Sequence, residues 1–177
     1  MKIAIILLIL AVLLAIWCIA TVNGFRKKEI RAQEGLSGIE VALAKRYDML
    51  TKLLDAAKGY LTHETQLFTG TIQLRQGMNI SQLNQAQQQM EDLSGKLFAV
   101  AENYPQLRSD QVVVELQRGI RDAEEHLQAA RRLYNSNAAS YNAAIAMFPA
   151  SLLAQGRQPL EFFQADAKKR EDVTISL

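Results

Sequence analysis

The sequence predicts an all-α protein: one N-terminal transmembrane helix, then an elongated antiparallel up-and-down helical bundle. Three observations predict it. Residues 3–22 form a run of 20 without a charge. The remainder repeats apolar residues three, four and seven apart, the spacing of one helix face. No stretch keeps the period-two alternation that a half-buried strand needs.

The uncharged run comes first. At about 1.5 Å per residue, a helix of this length spans about 30 Å, the thickness of a hydrocarbon core. Thr21 is its one mildly polar residue, and Trp17 lies near its C-terminal end, where an indole reaches the interface. The competing reading is a cleaved signal peptide. Its apolar region is normally about 7–15 residues, and the best cleavage pattern, Cys18-Ile19-Ala20, is weak. Lys2 alone precedes the run, whereas Arg26, Lys27, Lys28 and Arg31 follow it. The positive-inside rule therefore puts the large domain in the cytoplasm and the N-terminus outside. The same basic cluster suits anionic headgroups. Trp17, Arg26, Lys27, Lys28 and Arg31 are thus the expected membrane-interface residues.

The first bundle helix carries Leu36, Ile39, Leu43, Leu50, Leu53, Ala57, Tyr60, Leu67 and Leu74 on one stripe, widened by Tyr47 and Leu54. Asn23, Gly24 and Phe25 do not force a break from the membrane helix, although a start or bend near Gly35 is also open, since glycine weakens a helix. Residues 77–81 read as a turn, with Asn79 or Ser81 as cap. The second helix covers residues 81–103, with Leu83, Met90, Leu93, Leu97, Val100 and Ala101 inward and the glutamine-rich residues 85–89 as its solvated side. Tyr104-Pro105 ends it. The third covers residues 109–148, with Ser109 as cap and Pro149 as stop. A short helix is expected over residues 160–169, with Phe162 and Phe163, and a frayed end beyond it. The division is an anchor over 1–25, a bundle over 26–155 and a short helix with tail over 156–177.

Composition excludes several classes. Beyond Lys2 and the anchor the chain has 19 basic and 18 acidic residues, too balanced for the basic face of an electrostatic nucleic-acid binder. The lone Cys18 permits no intrachain disulfide or cysteine zinc site. His63-Glu64 opens like a zinc-protease helix, but the required second histidine is replaced by Leu67. His126 is the only other histidine. Glu124 and Glu125 precede it directly, so they do not share its face, and no Glu-x-x-His exists for a di-iron site. No cofactor, catalytic residue, metal site or small-molecule substrate is expected. Lys45-Arg46 with Lys52, and Arg131-Arg132, read as solvated faces, some pairing with Glu124 or Asp48 across helices. Lys168-Lys169-Arg170 reaches lipid only if the bundle folds back to the membrane. Tyr134-Asn135 and Tyr141-Asn142 stand seven apart, so both rings share a face. With Arg46 and Glu124, they are candidates either for contact with a partner or for a polar face between helices.

These residues together resemble the LemA family of bacterial membrane-anchored helical proteins. One block comprises Ser37, Ile39, Glu40, Val41, Leu43, Lys45-Arg46-Tyr47-Asp48, Leu53, Lys58-Gly59-Tyr60 and His63-Glu64. The other comprises Tyr104-Pro105, Glu115-Leu116-Gln117, Glu124, Arg131, Tyr134-Asn135, Tyr141-Asn142 and Phe148-Pro149. Gly35-Leu36 stands where the family usually has Ala-Trp, and Thr51-Lys52 where it has Pro-Asn. The resemblance implies an antiparallel helical bundle on a membrane anchor in the bacterial inner membrane, with no established enzymatic activity.

The expected function is a membrane-anchored interaction or scaffold protein that self-associates or supports a membrane-protein assembly. Its expected partners are the bilayer and a protein, either a second copy of the chain or another. The alternative from another class is a membrane-tethered hydrolase, or an accessory factor of a membrane enzyme, using His63 or His126.

Overall fold

A computed structural model of the chain describes residues 1–58, 74 and 77–164. Four α-helices follow one another: α1 (Lys2–Lys58), α2 (Ile80–Asn103), α3 (Pro105–Ser109) and α4 (Gln111–Ala146); a 3₁₀ turn, Ala150–Leu153, comes next. No strand occurs among the described residues. The chain divides into two compact units. One joins Met1–Leu36 to Arg132–Phe162; the other joins Ser37–Arg131 to Phe163–Leu177.

In the first unit, α1 begins as the uncharged run. It is long and apolar enough to cross a membrane, and none of its most apolar window is covered by the rest of the chain. Asn23, Gly24 and Phe25 sit inside the helix, and it continues unbroken through Gly35. α4 runs antiparallel to this part of α1. Lys28 Nζ donates to Ser140 Oγ at 2.6 Å and Asn137 Nδ2 to the Arg31 carbonyl at 3.0 Å. Further along, Gly35 lies against the Tyr134 backbone, so close that a Cβ on Gly35 would stand 2.9 Å from Tyr134 Cα. Phe25, Ala32, Tyr134, Ala138 and Tyr141 are buried here.

In the second unit, Ile39, Leu43, Leu50, Leu53 and Ala57 of α1 are buried together with Leu83, Met90 and Leu97 of α2 and Val113, Ile120, Ala123 and Leu127 of α4. Fully burying one such side chain contributes about 1.5–3 kcal/mol, so the stripes supply the main drive for packing. Gly77, at φ +77°, makes the turn ahead of α2. Asn79 then caps it: its side chain accepts from Gln82 N at 2.8 Å and the Gln82 side chain accepts from Asn79 N at 3.0 Å.

Three expectations change. The expected third helix starts later: Ser109 closes a separate turn, Pro105–Ser109, and Asp110 rather than Ser109 precedes α4, its Oδ1 accepting from Val112 N at 2.8 Å. An ionised carboxylate is a stronger acceptor than a hydroxyl and favours the positive helix end. Ser109 Oγ instead donates back to the Gln106 carbonyl. Helix α4 also stops at Ala146, ahead of Phe148. Finally, residues 160–164 are not helical, because their backbone groups bond to α4 side chains. The remainder of the expected short helix, residues 165–169, lies outside the described residues. So do Lys168-Lys169-Arg170, His63-Glu64, Gly59-Tyr60, Leu67 and Gly70.

Candidate functional site

Within the second unit, the chemistry-bearing residues meet at Arg46. It follows Leu43 by three and precedes Leu50 by four, so the apolar stripe of α1 carries a guanidinium into the core. Its side chain is 3% exposed. Nη1 donates to Glu124 of α4 and Nη2 to Glu91 of α2, each at 2.5 Å. Gln128 Nε2 supports Glu124 Oε1 from one turn along at 3.3 Å. On α2, Gln87 is also buried, and among the described residues neither Gln87 Nε2 nor Arg46 Nε has a hydrogen-bond partner. Of the two places expected for Arg46, a solvated face or a polar face between helices, it takes the second, whereas Gln87, expected on the solvated side of α2, is inside. The signal was available, since Gln87 follows Leu83 by four and precedes Met90 by three. Glu91, next to Met90, escaped the sequence reading altogether.

Around this core the charges are exposed. Lys45 donates to Asp122, which holds the Asp122 carboxyl below the usual carboxylate range, helped by the positive field of Lys45 and of His126. His126 Nδ1 lies 3.6 Å from Asp122 on the solvent side. Among the described residues no group of three or more His, Cys, Asp or Glu side chains could hold a metal ion. A cleft of about 170 Å³ between α2, α3 and α4 is lined by Phe98, Glu102, Arg108, Gln117 and Arg121. It is smaller than the usual ligand pocket of about 300–1,000 Å³. The Arg46 guanidinium, held between carboxylates of α2 and α4, ties three helices together. Near the end of this unit Arg131 stacks over Phe163 at 5.2 Å and donates to the Gln164 carbonyl.

In the first unit, Tyr134 and Tyr141 are both 3% exposed. Tyr134 Oη donates to the Glu161 carbonyl at 2.7 Å. Asn142 grips residue 160 twice: its amide donates to the Leu160 carbonyl at 2.9 Å and its carbonyl accepts from Leu160 N at 2.8 Å. These side chains hold the segment after the 3₁₀ turn onto α4. Asn135 is half-buried. Arg157 then returns to α1, stacking over Phe25 at 5.4 Å and lying 3.5 Å from Glu29. Of the expected interface residues, Arg26 is exposed and pairs with Glu29 at 3.0 Å, Lys27 and Arg31 are exposed, Lys28 bonds to Ser140, and Trp17 is 37% exposed.

Burial pushes the Tyr134 hydroxyl above its ordinary pKa of 10.0, and the Glu161 carboxylate adds to the shift. The folded chain therefore favours the neutral phenol. That contribution to stability is whole below the unfolded pKa and is lost as pH rises through the folded one. Chemical unfolding measured across alkaline pH should show stability falling above about pH 10, and Tyr134→Phe should flatten that fall. Equal slopes for both proteins would remove Tyr134 as the cause.

Residues 35–177 match the model of the LemA family. Protein LemA of Metamycoplasma hominis is 26% identical over 161 residues, covering 87% of this chain and 74% of that protein. Magnetosome protein MamQ of Magnetospirillum gryphiswaldense is 32% identical over 71 residues, covering 39% of this chain and 26% of that protein.

Proposed function

The chain belongs to the LemA family, and on that footing we propose that it is a membrane-anchored helical scaffold that self-associates or supports a membrane-protein assembly, without catalysis. One observation carries the reading. The apolar stripes of α2 and of the later part of α1 are buried against the chain's own helices, whereas the first turns of α1, from Ile3 to Ile16, stay uncovered. That surface is far larger than a water-soluble helix tolerates, and lipid is the solvent that suits it. Arg26, Lys27, Lys28 and Arg31 directly after it support, by the positive-inside rule, a domain on the cytoplasmic side of a bacterial inner membrane with the N-terminus outside. The chemistry near Arg46 supports a structural role, since its charges are committed to one another across helices.

Exposed apolar side chains on the solvent sides of α1 and α4, Val41 and Val112, are the places to look for a partner. With a photo-crosslinking residue at either position in intact cells, the membrane fraction should yield a discrete adduct, either with a second copy or with one other protein. Recovery of the chain solely as an uncrosslinked monomer would overturn the scaffold reading. Recovery in the soluble fraction, shortened near residue 20, would overturn the anchor.

A further inference from the structure

The register between α1 and α4 has a consequence at the membrane end of the first unit. Lys28 meets Ser140 and Arg31 meets Asn137, one residue back on α4 for each residue forward on α1. Carried six residues further, that register sets Ala146, the last residue of α4, level with Val22, the last of the uncharged run. Met147 and Phe148 fall beyond it, on the membrane side. An independent observation agrees. Covering of α1 begins at Cys18 and Thr21, inside the uncharged run, and continues at Gly24, Phe25, Lys28 and Ala32 with helical spacing. In this unit the remaining chain is Arg132–Phe162, so the end of α4 and the turn after it are the described segment within reach to supply that cover.

The side chains at this end suit lipid. Met147 is 64%, Phe148 80% and Leu152 64% exposed, three large apolar groups left open among the described residues. Between Arg132 and Arg157 there is no Asp, Glu, Lys or Arg. Charges return just on the other side of the boundary, where Arg157 joins Arg26, Lys27 and Lys28 around Phe25 and Glu29. An apolar tip below a predominantly basic collar is the arrangement that inserts shallowly among anionic headgroups.

We propose that the turn carrying Met147, Phe148 and Leu152 is a second membrane contact, seated in the headgroup–acyl boundary of the bilayer that α1 crosses. The contact rests on the anchor reading. Two points of attachment hold the first unit upright against the surface.

Trp17 is the only tryptophan, which makes the test direct. The full chain is reconstituted into vesicles of phosphatidylcholine and phosphatidylglycerol carrying spin-labelled lipids. In the natural protein, Trp17 emission and vesicle flotation report the anchor. In Trp17→Phe combined with Phe148→Trp, emission reports the tip. In Trp17→Phe combined with Leu133→Trp it reports an exposed position on α4, about 20 Å along the helix from Phe148. Quenching by labels near the headgroup should be at least about twofold stronger at position 148 than at 133, and stronger from shallow than from deep labels. Flotation without quenching at 148 would overturn the tip contact and leave the anchor standing. A blue-shifted, unquenched indole at 148 would assign the patch to a second protein chain and equally overturn it. Failure of the natural protein to float would take down both.

Discussion

Arg46→Ala is expected to destabilise the chain by about 3 kcal/mol, the lower end of what breaking a buried ion pair costs. The geometry sets the size. The guanidinium is almost wholly buried, whereas Glu124 is 22% and Glu91 45% exposed, so after the substitution both carboxylates can still reach water. The loss is then mainly the cavity left by the side chain and the two charge-assisted hydrogen bonds that joined α1 to α2 and α4. The converse substitution, Glu124→Ala, leaves the buried cation with one exposed partner. Combining Arg46→Met with Glu91→Gln and Glu124→Gln should recover most of the loss, because a buried ionic network is replaceable by apolar packing at little net cost. Urea unfolding of the detergent-solubilised chain, followed by far-ultraviolet circular dichroism, measures all of these. If Arg46→Ala fell within about 0.5 kcal/mol of the natural protein, as surface changes do, the network would not be holding the helices. If the combined variant kept its stability but lost the crosslinked adduct, the network would specify the helix alignment that a partner reads.

Two glycines on neighbouring turns of α1 should respond with opposite sign. At Gly38 an added Cβ would meet Ala130 Cβ at 3.5 Å, an ordinary contact. Gly38→Ala should therefore stabilise by up to about 1 kcal/mol through helix propensity alone. At Gly35 the Cβ would meet Tyr134 Cα at 2.9 Å and Tyr134 N at 3.2 Å, both backbone atoms that cannot swing aside. Forcing α1 away from α4 costs about 1–3 kcal/mol, which outweighs the propensity gain. The shift would also reach the Tyr134 and Asn137 hydrogen bonds nearby. Gly35→Ala should accordingly lower the unfolding free energy, with a gap of roughly 2 kcal/mol between the two variants. Equal stabilisation by both would mean that the close approach at Gly35 relaxes without cost.

The comparison bears on how the chain could be read without its structure. A glycine in a helical stripe looks like a weakness or a bend, and the identity of the facing atom, Tyr134 Cα, lies about a hundred positions away in the sequence. Gln87 reads as solvated because polar residues usually face water, and Arg46 reads equally as solvated or as a polar face between helices, although each sits at the three- and four-residue offsets of its own apolar stripe. Position within the stripe was the better guide than residue type. The aromatic residues Phe162 and Phe163 suggested a helix after Gly156. Hydrogen bonds from Tyr134, Asn142 and Arg131 to the Glu161, Leu160 and Gln164 carbonyls instead hold that segment in an irregular path. No local signal carries that competition.

What the sequence by itself determined is local and periodic: the uncharged run of α1, the apolar stripes, the proline after Tyr104 and a capped turn at Asn79 or Ser81. Each follows from the 3.6-residue turn of the helix or from a side chain bonding within one turn, so neighbours along the chain suffice to define it. Only the tertiary structure decided that Lys28 faces Ser140, that Asn137 meets Arg31, and that Glu91 and Glu124 close on Arg46. Those facts depend on the register in which distant stripes meet. Register is chosen by packing and pairing across helices, and no single helix carries that information.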